Sequence, residues 1–150
     1  MPGVEIRPWR RAAGKAAFWY AVLACYLAVL LFLSLNPSIR PATTSGFLSP
    51  DKIAHAIAYG GLAILTFICL TKSREDFGRR TGRTWGVAVA MAASVGGLIE
   101  VAQALFTRNR TGSLDDALAN ALGAVIGCVV YLAAKRLLAR VAMSDSGSAT

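Results

Sequence analysis

The chain has 150 residues, 55% of them hydrophobic and only 16% charged. A water-soluble domain of this size needs more polar surface than that to cover its core, so the composition excludes one. The basic residues behind the formal charge of +8 all sit outside the apolar runs, which points to membrane topology and anionic lipid rather than to a nucleic-acid surface.

Four apolar runs, at about 16–35, 54–70, 86–106 and 117–134, are each near the roughly 20 residues needed to cross a bilayer. Together they take about half of the chain and leave no room for a separate soluble domain. The expected fold is all-α: one integral membrane four-helix bundle over 16–134, between a basic tail at 1–15 and a second tail at 135–150. Arg7, Arg10, Arg11 and Lys15 precede the first run, and Lys72, Arg74, Arg79, Arg80 and Arg83 lie between the second and third. Lys135, Arg136 and Arg140 follow the fourth, whereas the opposite side carries Arg40, Lys52, Arg108 and Arg110. By the positive-inside rule both termini and the middle loop are cytoplasmic, giving an N-in/C-in protein of the plasma (inner) membrane.

The first run follows positive charges, as a cleaved signal peptide would. It lacks an A-x-A-like exit and leads straight into Asn36-Pro37, so an uncleaved span is expected. It holds Trp19, Tyr20 and Tyr26 but no acid, His or Lys in its interior, the make-up of an anchor with an interfacial aromatic belt. After an outer loop containing Pro37, Pro41 and Gly46, Ser49-Pro50-Asp51-Lys52 reads as a helix start. Ala56 and Gly60 in the second span, and Ala88, Ala92 and Gly96 in the third, are small residues at four-residue spacing, suited to close helix approach. The cytoplasmic loop between these spans carries nothing catalytic. Ser113-Leu114-Asp115-Asp116 matches a capping box opening the fourth span, which continues with the stripe Ala119, Gly123, Gly127. The last ten residues are small and polar and are expected to be disordered. Cys25, Cys69 and Cys128 all fall in apolar runs with no C-x-x-C pair, and His55 is the single histidine. They read as packing residues; no disulfide framework, metal or cofactor is indicated.

The polar residues inside the spans fall into three sets. Asp51, His55 and Tyr59 recur at four-residue spacing; Glu100 and Gln103 are three apart; Asp116 and Asn120 are four apart. Each set therefore shares one helix face. At about 1.5 Å of rise per residue, His55, Glu100 and Asn120 each lie roughly 7–9 Å inside the same membrane face. The simplest arrangement turns these faces toward one another as an outward-open polar pocket.

Structural explanations stand beside this reading. The helix dipole alone favours Asp51 and Asp116 in first turns. Lys52 can snorkel to the interface, Tyr59 can simply pack, and His55, Gln103 and Asn120 can be interhelical hydrogen-bond glue. Asn109-Arg110-Thr111 also spells a glycosylation sequon, in a loop too short and too close to the membrane to weigh much. Glu100 is the hardest to explain away. An acid within a span costs about 2.5–3.5 kcal/mol on insertion scales unless paired or protonated, and its candidate partners are Arg110, Lys52 and His55.

The three sets in this order resemble the VanZ-like family of bacterial membrane proteins. The resemblance lies in D-K-x-x-H-x-x-x-Y (Asp51, Lys52, His55, Tyr59), E-x-x-Q (Glu100, Gln103) and R-x-x-S-x-x-D-x-x-x-N-x-x-G (Arg110, Ser113, Asp116, Asn120, Gly123), covering about residues 36–131. The chain departs from the family in Thr107-Arg108-Asn109, where members often carry a proline. The family takes its name from a determinant of reduced teicoplanin sensitivity, so the resemblance implies a role in the cell envelope and in glycopeptide (antibiotic) resistance.

Three functions are in contention. The first is binding or modulation of an envelope lipid or lipid-linked precursor at the outer pocket. Here Arg110, Lys52 and Arg108 would receive a phosphate or carboxylate, while Glu100, Gln103 and Asn120 would read hydroxyls or amides. The second is an intramembrane hydrolase or transferase acting on the same class of molecule, with His55, Glu100 and Asp116 as catalytic candidates. No phosphate-cradling glycine loop and no G-x-S-x-G nucleophile motif supports it. The third is a structural bundle clamped by its polar groups. Transport ranks below these, because four spans leave little room for alternating access unless the protein forms a homo-oligomer.

Overall fold

A computed structural model describes residues 8–36, 49–72, 81–106 and 113–147. They form four helices, α1 (Pro8–Leu35), α2 (Pro50–Lys72), α3 (Thr81–Phe106) and α4 (Leu114–Gly147), and no strand occurs among the described residues. Each helix contains a stretch long and apolar enough to cross a membrane: Ala16–Leu35, Pro50–Lys72, Gly82–Phe106 and Leu114–Ser144. In hydrocarbon every backbone N–H and C=O must be paired within the segment, and these Ala- and Leu-rich runs are good helix formers, so helix is the form they take. The all-α expectation holds.

The helix ends follow local chemistry. Asn36 N–H still bonds Phe32 C=O at 3.0 Å, and the chain then meets Pro37, which disfavours helical backbone in the residue before it. Ile53 N–H donates to Ser49 C=O at 3.1 Å, and Ala117 N–H to Ser113 C=O at 3.0 Å, so Ser49 and Ser113 are the half-helical residues that open α2 and α4.

Two extents differ from the expectation. α1 begins at Pro8, inside the basic tail, and α4 runs on to Gly147, through most of the terminal segment expected to be disordered. Loss of hydrophobicity ends a membrane span without ending a helix. Residues 135–146 hold Leu, Ala, Arg and Lys with no Gly or Pro, and nothing breaks the helix before Gly147.

α2 is the centre of the bundle, touching α4, α3 and α1. Its closest neighbour is α4, through the small-residue stripes. A Cβ added at Gly127 would stand 2.7 Å from Gly60 Cα, and one at Gly60 would stand 2.9 Å from the Gly123 carbonyl oxygen. One added at Gly123 would collide with the Ala56 backbone. Backbones this close gain dispersion contact along both helices, the main attraction available where lipid is as apolar as leucine. Ala88, Ala92 and Gly96 form the buried face of α3, as their spacing predicts.

Tyr59, Leu62, Ala63, Phe67, Ile99, Ala124 and Cys128 make up the core, and Cys69 is also buried. Cys25 is exposed on α1, so the packing role expected of the three cysteines fits two of them. α1 is held at its middle, where Tyr26 Oη–H donates to Ala58 C=O at 2.7 Å over the space left by Gly61. Its remaining surface carries Phe18, Val29, Phe32 and Leu33 outward, in keeping with an anchor. The same inversion holds elsewhere: Ile57, Leu98, Leu105 and Ile126 face outward while Glu100, Gln103 and Asn120 are buried.

Candidate functional site

Because consecutive spans are antiparallel, the C-termini of α1 and α3 and the N-termini of α2 and α4 lie at one end of the bundle. Polar contacts join all four there. Gln103 Nε2 donates to Ser34 C=O at 2.7 Å, tying α3 to α1. Ser113 N–H donates to Glu100 Oε2 at 3.1 Å, tying α4 to α3. Lys52 and Asp115 form a 3.0 Å ion pair between α2 and α4, and His55 meets Asn120 across the same pair of helices.

His55 is the hub. Its Nδ1 lies 2.9 Å from Asn120 Oδ1. An amide oxygen only accepts, so Nδ1 carries the proton and donates, and in the neutral ring the lone pair is left on Nε2. That nitrogen lies 3.7 Å from Asp51 Oδ1, one helical turn back and beyond hydrogen-bonding distance. Glu100 Oε1 stands 3.9 Å from Nδ1 on the other side of the ring. The imidazole is parallel to the Tyr59 ring, with centroids 6.2 Å apart and 5° between planes. Asp116 completes the group: one donor atom each from Asp51, His55 and Asp116 lie within 4.8 Å of one another.

Gly96 makes this crowding possible. A Cβ there would stand 2.9 Å from Asn120 Nδ2 and 3.1 Å from the Tyr59 ring. Around that contact three buried polar atoms, Tyr59 Oη, Glu100 Oε1 and Asn120 Nδ2, have no hydrogen-bond partner. Such atoms are rare in native proteins, and each carries a desolvation cost of about 1–3 kcal/mol. The fourth of this kind among the described residues, Trp85 Nε1, belongs to the start of α3 at the opposite end.

The expected site residues are thus mostly gathered, with some changes of role. Asp51, His55, Tyr59, Glu100, Asp116 and Asn120 converge. Gln103 is at the same end but its amide binds α1. Lys52, expected as a partner of Glu100, pairs with Asp115 instead. Arg108 and Arg110 lie outside the described residues. The capping box is half realised: Ser113 Oγ accepts from the N–H groups of Asp115 and Asp116, at 3.2 and 3.4 Å. The return bond to the Ser113 N–H comes from Glu100 of α3 rather than from Asp116. Asp115 and Ser34 join the site beyond the residues expected there. Asp115 shares the first turn of α4 with Asp116, a signal that was present, whereas the Ser34 contact runs through a backbone carbonyl and leaves no mark in sequence.

Taken together, the end of the bundle holds a neutral-capable imidazole among three carboxylates, with donors and acceptors left over inside. That arrangement can hydrogen-bond a polar ligand group, exchange a proton at His55, or hold a cation. A family model described as VanZ/LLP1 matches residues 18–138, which takes in all three polar motifs and the core of every span. No curated protein and no solved structure matches the chain. With four membrane-crossing helices and a family match over most of its length, this multi-pass membrane protein belongs to the VanZ/LLP1 family.

Proposed function

We propose that this protein works in the bacterial plasma membrane, with the polar end of its bundle facing outward. There it binds the headgroup of an envelope lipid or lipid-linked precursor and so lowers sensitivity to a membrane-anchoring glycopeptide such as teicoplanin. The observation that carries this reading is the set of three unpartnered buried atoms on converging helices. Asn120 Nδ2 is a donor, Glu100 Oε1 an acceptor and Tyr59 Oη either, a combination that suits the hydroxyls and amides of a sugar- or peptide-bearing headgroup. The basic residues at the other end of the spans support the outward orientation. Exposed apolar side chains around the bundle keep the site in contact with lipid, from which such a ligand would arrive.

A second reading, an intramembrane hydrolase or transferase on the same molecules, is favoured by one feature. His55 has carboxylate oxygens 3.7 and 3.9 Å away on its two nitrogens, as an acid–base group would require.

Tyr59→Phe separates binding from a structural clamp. The hydroxyl meets no partner at hydrogen-bond distance, so its removal is expected to leave stability unchanged or raise it by about 1 kcal/mol. Headgroup-bearing lipid that co-purifies with the protein, read by mass spectrometry, is expected to fall. Loss of stability with unchanged lipid content would favour the clamp. Conversion of an added membrane-lipid extract by the wild type, abolished in His55→Ala, would favour the enzyme.

A further inference from the structure

We propose that Asp51, His55 and Asp116 bind a divalent metal ion of the zinc class. One donor atom from each lies within 4.8 Å of the others, and all three side chains are half-buried rather than spread over an open surface. The second observation lies outside this trio. The Nδ1–H of His55 is fixed by Asn120 Oδ1 at 2.9 Å, with Asn120 itself fully buried. A metal-ligating histidine typically donates its other ring N–H to a carbonyl or carboxylate in this way, which sets the tautomer and aims the free nitrogen at the metal.

The distances agree. Asp51 Oδ1 stands 3.7 Å from Nε2, too far for a hydrogen bond. Two ligands on a tetrahedral ion with bonds of about 2.1 Å are about 3.4 Å apart. A pair at the 4.8 Å limit would need to close by about 1.4 Å, a side-chain adjustment within staggered wells.

Charge points the same way. Among the described residues, this end of the bundle gathers Asp51, Glu100, Asp115 and Asp116 against Lys52 and a titratable His55. Lys52 is engaged by Asp115, and carboxylates at the edge of a low-dielectric medium repel one another strongly. A divalent ion between Asp51 and Asp116 would relieve that repulsion directly. One imidazole and two carboxylates suit zinc, and to a lesser degree manganese or iron, better than the all-oxygen sites of calcium or magnesium. Three protein ligands leave a coordination position open for water or for an anionic ligand oxygen.

The test uses full-length protein in detergent, with any histidine tag removed, stripped by a chelator and titrated with zinc chloride. Bound zinc is read by mass spectrometry after desalting, and affinity by calorimetry; folding of each variant is confirmed by size-exclusion chromatography. The wild type is expected to take up one zinc per chain. Asp51→Asn and Asp116→Asn should each weaken binding more than about tenfold, and Asn120→Ala, which removes only the outer support, about tenfold. Asp115→Asn, at the exposed partner of Lys52, should bind like the wild type. If either aspartate variant fails to fold, the other decides. The proposal is overturned if the wild type takes up no stoichiometric zinc, if the folded aspartate variants keep it, or if Asp115→Asn loses it equally. Zinc uptake is read separately from co-purified lipid, so failure here leaves the headgroup reading to its own test.

Discussion

Glu100 serves two purposes from one carboxylate. Oε2 accepts the Ser113 N–H at the start of α4, where the helix dipole favours an anion, while Oε1 is buried without a hydrogen bond beside His55. A carboxyl group within a span is tolerated when it is partnered, and here the N-terminus of α4 partners one oxygen while the other is left without a hydrogen bond. Ser113 is the complementary case. Its Oγ caps two N–H groups of α4, so Ser113→Ala is expected to cost about 1 kcal/mol, seen as easier unfolding of the detergent-solubilised protein. Because Glu100 binds the backbone of residue 113 rather than its side chain, that variant should keep the α3–α4 contact and differ from the wild type in stability alone.

At the scale of helices, the small-residue stripes decide how closely α2 and α4 approach, and that approach brings His55 within reach of Asn120. Gly123→Val would press a branched side chain into the Ala56 backbone and push the helices apart. About 1–3 kcal/mol of lost stability is expected, with less monodisperse protein in detergent. Leu118→Ala, on the exposed side of α4, should change stability by no more than about 0.5 kcal/mol. The spans, the stripes and the shared face of Asp51, His55 and Tyr59 were legible because each depends on spacing within one helix. Pairings between helices were not. That Lys52 chooses Asp115 over Glu100, that Gln103 reaches a backbone carbonyl of α1, and that Glu100 completes the cap of α4 all depend on how helices rotate against one another. The run of α4 to Gly147 is hidden for another reason: polarity ends a span but not a helix, and residues 135–146 contain no Gly or Pro.

For the whole molecule, the burial pattern is that of a lipid-embedded bundle, apolar outward and polar at the contact of three helices, with positive charge gathered at the far end. That charge bias predicts an orientation that can be checked directly. A fluorescent protein fused to the C-terminus should glow, as it does in the cytoplasm, and alkaline phosphatase inserted between 107 and 112 should be active, as it is outside. The reverse pattern would put the polar end in the cytoplasm and remove the basis for an outer envelope ligand. The central claim is that the polar end of the bundle acts on the envelope. Its most direct test is the teicoplanin susceptibility of cells expressing the wild type, Glu100→Gln or an empty vector, at matched levels of folded membrane protein. Glutamine can still accept the Ser113 N–H, so the variant should fold, and protection is expected from the wild type and not from Glu100→Gln. Equal protection by both, or none from well-expressed wild type, would contradict the account.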